Sequence, residues 1–222
     1  MEKMFMDDKM KKIVTVVLVI VIGIAVFAGY GYVTQKTTAN EGIEYLNGKE
    51  YQKAYEKFHE AASKFTLFWT GQKTDTLLYE GESLYQLERY DDAIKVYGQL
   101  IAKGESRGYS FKAFCYMGKG ETNKALNVCK QGIQALPDAG DIYCTEYGIY
   151  AKQKKYKEGL DILKEALTRD GLKNKQEVLF TRISAYESMF DYDTALQYAK
   201  AYVKAYPNDK QGKKELTFLE TR

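Results

Sequence analysis

Gly81-Glu82-Ser83-Leu84-Tyr85-Gln86-Leu87-Glu88-Arg89-Tyr90-Asp91-Asp92-Ala93-Ile94-Lys95-Val96-Tyr97-Gly98-Gln99-Leu100-Ile101 is the stretch that decides the fold. Its apolar residues recur at helical spacing on both sides of a polar turn at 88–89. Gly81 and Ala93 are small, and Leu84, Leu87, Tyr90, Tyr97, Leu100 and Ile101 are large. Small side chains let two helix backbones approach, and large ones interlock between them. The spacing predicts two antiparallel helices joined by a tight turn.

The same pattern recurs on both sides. A first copy, 35–68, has Gly42, Tyr45, Tyr51, Ala54, Phe58 and Ala61; the quoted copy, 74–107, has Gly81, Leu84, Tyr90, Ala93 and Tyr97. A third, 106–139, has Ala113, Tyr116, Gly120, Ala125, Gly132 and Pro137. A fourth, 140–173, has Tyr150, Tyr156, Gly159, Leu163 and Ala166, but Tyr147 where a small residue is expected. A fifth, 176–209, has Tyr186, Tyr192, Ala195, Ala199 and Pro207, with Ile183 and Tyr202 at two usually small positions. The chain's two prolines, Pro137 and Pro207, fall at one repeat position, just past the second helix, where proline stops a helix. Such units cannot bury their apolar faces alone and must stack. The segment 210–222, with Leu216 and Leu219 among charges, reads as a polar capping helix.

This spacing resembles the tetratricopeptide repeat, a helix–turn–helix unit of about 34 residues. The resemblance covers 35–209 and implies an all-α solenoid of about five units with a concave face lined by the first helix of each. Carried over by position, that face takes Leu78, Glu82 and Tyr85 from the second unit and Arg107, Phe114 and Met117 from the third. Asp141 and Lys152 come from the fourth, Phe180 and Glu187 from the fifth. One subgroup of the family clamps a C-terminal carboxylate with Lys and Asn. Here the two clamp positions hold Ala39, Leu78, Ser110, Cys144 and Phe180, and Ile43, Glu82, Phe114, Gly148 and Ser184, so the clamp is missing. Phe114, Met117 and Leu78 instead suit a peptide with apolar anchors, or packing within the solenoid.

Ahead of the repeats, no charged residue occurs from Ile13 to Gln35. As a helix, 13–33 spans about 31 Å, the thickness of a bilayer's hydrocarbon core. It follows a short polar tail, 1–12, and ends near Tyr30 and Tyr32, where aromatic rings sit well at headgroups. The expectation is a single-pass anchor. Lys11 and Lys12, the apolar run and Val26-Phe27-Ala28 also fit a signal peptide cleaved near Ala28, releasing a secreted repeat protein. Lys3, Lys9, Lys11 and Lys12 precede the segment, against Lys36, Lys49 and Lys53 after it, which favours a cytoplasmic N-terminus and extracytoplasmic repeats. Unpaired cysteines weigh mildly the other way. No proline separates the segment from the first repeat, so one helix can run through both. Phe65–Gly71, with the sole tryptophan Trp69, reads as a headgroup contact or as a long helix end between two repeats.

The chain has 222 residues, 33 basic and 30 acidic, with a net charge of +3. That balance gives no basic stripe for nucleic acid. Its 20 tyrosines are mostly packing residues by their placement. Cys115, Cys129 and Cys144 form no CxxC pair and read as apolar fillers, although Cys115 and Cys129, on the two helices of one repeat, could bridge. His59, the only histidine, lies on an outer helix face, and the acidic pair Asp91-Asp92 reads as a solvated helix start. No phosphate loop, HExxH or GxSxG pattern is present. No cofactor, metal or small-molecule substrate is expected. The expected function is non-catalytic: a membrane-anchored scaffold recruiting a protein or peptide partner, set in a bacterial envelope assembly. A peptide-sensing receptor is the alternative, although a 12-residue tail leaves little to signal with; an envelope enzyme of unfamiliar type stands third.

Overall fold

A computed structural model describes residues 8–64 and 70–222. Among them there are eleven helices and no strand: α1 (Asp8–Asn47), α2 (Tyr51–Ser63), α3 (Thr70–Gln86), α4 (Tyr90–Ile101), α5 (Ser106–Gly118), α6 (Thr122–Ala135), α7 (Gly140–Lys152), α8 (Tyr156–Leu167), α9 (Lys175–Ser188), α10 (Tyr192–Ala205) and α11 (Lys210–Leu219). The chain divides into two compact units, one ending at Leu87 and one running from Glu88 to Arg222.

In the first unit, α1 is one uninterrupted helix of 40 residues, about 60 Å long. It carries the apolar segment straight into the first repeat. Ile13 to Phe27 are exposed on every side, and the segment is long and apolar enough to cross a membrane. From Ala28, which is 3% exposed, α1 begins to be covered. Its last turns pack on α2, which packs on α3. Gly42 is where the backbones approach: a Cβ there would stand 2.8 Å from the Phe58 ring. Phe58 is fully buried and stacks on Tyr79 of α3. The expectation for Phe65–Gly71 falls mostly on undescribed residues, including Trp69.

In the second unit each helix packs on the next, from α4 to α11, while α5 also contacts α7 and α7 contacts α9. α5, α7 and α9 thus form one layer, and α6, α8 and α10 lie behind it. Ala93, Tyr97 and Leu100 bury the inner side of α4, and Asp91 and Asp92 sit in its first turn, favourably placed for the helix dipole. α6 stops at Ala135, before Pro137, and α10 at Ala205, before Pro207.

Every within-repeat turn is closed by a left-handed residue at the same repeat position: Lys49, Glu88, Gly120, Lys154 and Phe190, with φ between 58° and 75°. Only one is glycine, so four side chains accept a conformation that costs about 1–2 kcal/mol.

Two of the three departures in the fourth and fifth repeats, Tyr147 and Tyr202, are compensated in space, while Ile183 is simply buried, at 1% exposure. Tyr147 is buried against Gly159 of α8, where an added Cβ would lie 2.8 Å from the ring. The bulk has moved from one helix to its partner. Tyr202 of α10 occupies space vacated by Gly212 of α11, whose Cβ would be driven into the ring. The Tyr202 hydroxyl donates to Asp209, which also accepts from Gln176 Nε2 at 3.0 Å. Asp209 caps α11 by accepting from Gln211 and Gly212 backbone N–H groups at 2.9 and 3.3 Å. Leu219, 2% exposed, and Leu216 seat α11 on the end of the core.

All three cysteines are free. Burial pushes the Cys115 and Cys144 thiols up to about 12 and Cys129 higher still, which makes them inert fillers.

Candidate partner-binding face

The face formed by α5, α7 and α9 carries seven of the positions named from sequence. On α5, Arg107 is exposed and pairs with Glu105 at 3.2 Å. Phe114 is 40% exposed, its ring meeting Phe111 edge-on, and Phe111 in turn stacks on Tyr97. Met117 is half-buried and contributes to the core formed by α5, α6 and α7. It is therefore only partly available to a partner, whereas Phe114 is an exposed anchor on a packed support.

On α7, Lys152 is exposed at the C-terminal end, while Asp141 is half-buried in the first turn. Neither carboxylate oxygen of Asp141 has a hydrogen-bond partner. On α9, burial and then the Asp141 charge raise Glu177 above the usual carboxylate range. Phe180 packs edge-on against Tyr202 and lines an open cavity of about 440 Å³ with Gln176, Glu177, Thr181, Asp209 and others. At the other end of α9, burial and then the neighbouring Glu215 carboxyl push Glu187 up to about 7. This face therefore offers an aromatic anchor on α5, acidic groups on α7 and α9, and a polar cavity beside Phe180.

In the first unit, Leu78 and Tyr85 are half-buried and Glu82 is exposed on α3. Beside them, α1 and α3 frame a cavity of about 400 Å³ lined by residues including Tyr32, Lys36, Ile43, Asp75 and Tyr79. Ala39, at a clamp position, is in its lining. His59 has a partner that sequence reasoning did not find: its Nδ1 lies 2.7 Å from Oε1 of the buried Glu80. Asp91 is likewise tied across the repeat, to Lys119 at 2.5 Å, and Asp92 is paired with Arg89 and Lys95. Glu177, Gln176 and Asp209 were also missed, since their place beside Phe180 comes from the approach of α9, α10 and α11.

The family model described as tetratricopeptide repeat matches residues 75–103 and 177–209. A thermophilic TPR protein in Thermus thermophilus is similar in structure, with a TM-score of 0.59 and 19% identity, covering 85% of this chain and 100% of the other. A tetratricopeptide repeat protein from Parabacteroides merdae is similar with a TM-score of 0.51 and 14% identity, covering 83% of this chain and 72% of the other. No curated protein matches the sequence. Residues 75–103 and 177–209 thus match the tetratricopeptide repeat, and the chain's fold is an all-α solenoid of stacked helix pairs. Stacked helix pairs of this kind form extended surfaces for protein partners.

Proposed function

We propose that this protein is a membrane-anchored, non-catalytic scaffold whose first-helix face holds a protein or peptide partner. The observation that carries the reading is Phe114: a large aromatic side chain, 40% exposed, on a face whose neighbouring helices α5, α7 and α9 form one continuous layer. Aromatic residues on rigid supports are the usual anchors of protein interfaces. The half-buried Asp141 and the exposed Lys152 on α7 and the exposed Arg107 on α5 add charge to the same layer. Residues 13–33 are the anchor in this reading, with the N-terminus in the cytoplasm and the repeats outside. α1 runs unbroken through Ala28 into the first repeat, so a retained anchor would join the repeats without a linker.

Affinity capture from membranes with tagged wild-type chain and with Phe114→Ser tests the binding reading. Arg107→Glu, at an exposed side chain, serves as a second variant that leaves the core untouched. The reading expects one or more proteins captured by wild type and lost with both variants; undiminished capture by both would overturn it. Protease treatment of intact and lysed cells bearing a C-terminal tag tests orientation, with cleavage in intact cells expected. The mass of the mature chain in the membrane fraction separates a retained anchor from a cleaved one.

A further inference from the structure

The opposite side of the second unit holds a second feature. α6 and α8 both pack on α7 rather than substantially on each other. Between them lies an open cavity of about 430 Å³, lined by Lys130, Ile133, Pro137, Glu146, Ile162 and Arg169 among others. Glu146 of α7 is its most deeply buried member, at 1% exposure, and its Oε1 has no hydrogen-bond partner. The walls are apolar at Ile133, Ile162 and Pro137. Nearby groups are otherwise engaged: Tyr143 donates its hydroxyl to Pro137 O at 3.0 Å, and Arg169 is bound to Glu165 at 2.5 Å.

We infer that this cavity is a receptor for an aliphatic cation, a lysine or arginine side chain of a partner protein, whose stem lies along Ile133 and Ile162 and whose head neutralises Glu146. A buried carboxylate without a partner is costly, and the usual remedies are a counter-charge or a proton. A bound guanidinium or ammonium supplies the first, and its methylenes cover apolar wall that otherwise faces water.

The surrounding charges are consistent with this. From α6, Lys130 favours the ionised carboxylate but makes no hydrogen bond to it; from α8, Glu165 disfavours it, and Arg169 beyond α8 is committed to Glu165. Tyr143 on α7 and Cys129 on α6 are buried and neutral. Burial dominates, pushing Glu146 up to about 7. In the absence of a cation the group is half protonated near neutrality, and cation binding must expel that proton. Affinity therefore rises with pH through this range.

The test is NMR titration of the full detergent-solubilised chain, labelled at isoleucine methyls and glutamate carboxyls, with n-butylguanidinium and n-butylammonium as separate probes. The expected result is a saturable shift of Ile133, Ile162 and Glu146 signals by at least one of them. Affinity should be at least about tenfold weaker at pH 5 than at pH 8. Which probe binds more tightly assigns arginine or lysine. The near-isosteric Glu146→Gln, with methyl shifts reporting on fold, should abolish the response. No saturable shift would overturn the proposal, as would equal shifts from n-butanol, which would indicate an apolar groove alone. A response appearing only in Lys130→Met would also overturn it, because Lys130 itself would then be the cavity's occupant.

Discussion

Replacing Gly159 with alanine tests whether the fourth repeat's departure from the family pattern is a compensated exchange. In the native structure the new Cβ would lie 2.8 Å from Tyr147 Cδ2 and 3.2 Å from Tyr150 Cβ. Tyr147 is 7% exposed and cannot swing into water without opening the core. Overpacking of this kind costs about 1–3 kcal/mol. Alanine in a helix interior returns about 0.8–1 kcal/mol relative to glycine, so the net expectation for Gly159→Ala is about 0–2 kcal/mol of lost stability. In a Tyr147→Ala background the contact with the ring is gone and only the Tyr150 Cβ contact opposes the helix gain, so the same substitution should be neutral or stabilise by up to about 1 kcal/mol. Tyr147→Ala itself should cost about 3–5 kcal/mol through the cavity it leaves. Urea unfolding of the four detergent-solubilised chains, followed by near-UV circular dichroism, closes the cycle. A coupling of about 1–3 kcal/mol between the two positions is expected. If Gly159→Ala has the same effect in both backgrounds, Tyr147 does not occupy the space that glycine provides, and the exchange is wrong.

Three further outcomes follow from the geometry. Gly120→Ala meets no atom within 4 Å, so only its φ of +75° is at stake; it should cost about 1 kcal/mol, while Lys154→Gly at the equivalent turn should be neutral or stabilising, both read by urea unfolding. Asp209→Ala removes the cap of α11 and the acceptor of Tyr202 together, and should cost about 1–2 kcal/mol, with faster amide exchange concentrated in α11. Glu146 has its folded pKa raised from 4.5 to about 7, so the folded state holds the extra proton between those values and stability from this group falls as pH rises across that window. Glu146→Gln should lose that pH dependence and gain stability relative to wild type above pH 7, measured by unfolding at matched ionic strength with no cationic additive.

The fold was legible because its determinants repeat. Gly42, Ala93, Ala113 and Ala125 each mark a close approach of helices, and the pattern they form survives any one exception. The exceptions were not legible. Tyr147 and Tyr202 look like defects along the chain, because the glycines that accommodate them, Gly159 and Gly212, become their neighbours only when helices pack. The left-handed turn residues escaped for a different reason: glycine marks that position in one repeat, while Lys49, Glu88, Lys154 and Phe190 hold it in the others. The constant offset between repeats was the available signal. On the candidate face, family offsets named Phe114 and Phe180 but not Glu177 or Asp209, since those positions gain meaning from the approach of α9, α10 and α11.

Glu146 extends the same point to chemistry. Along α7 it is an unremarkable acidic residue, and its burial arises from α6 and α8 closing on either side of α7. Of this chain's departures, Tyr147 against Gly159 lies within a pair, and Tyr202 against Gly212 lies at the seam between α10 and α11. The Tyr202–Asp209–Gln176 network seals one such seam at the C-terminal end, and the carboxylate between α6 and α8 occupies another. A partner reading those seams would meet side chains whose placement comes from the packing of successive elements, which no single repeat's pattern specifies.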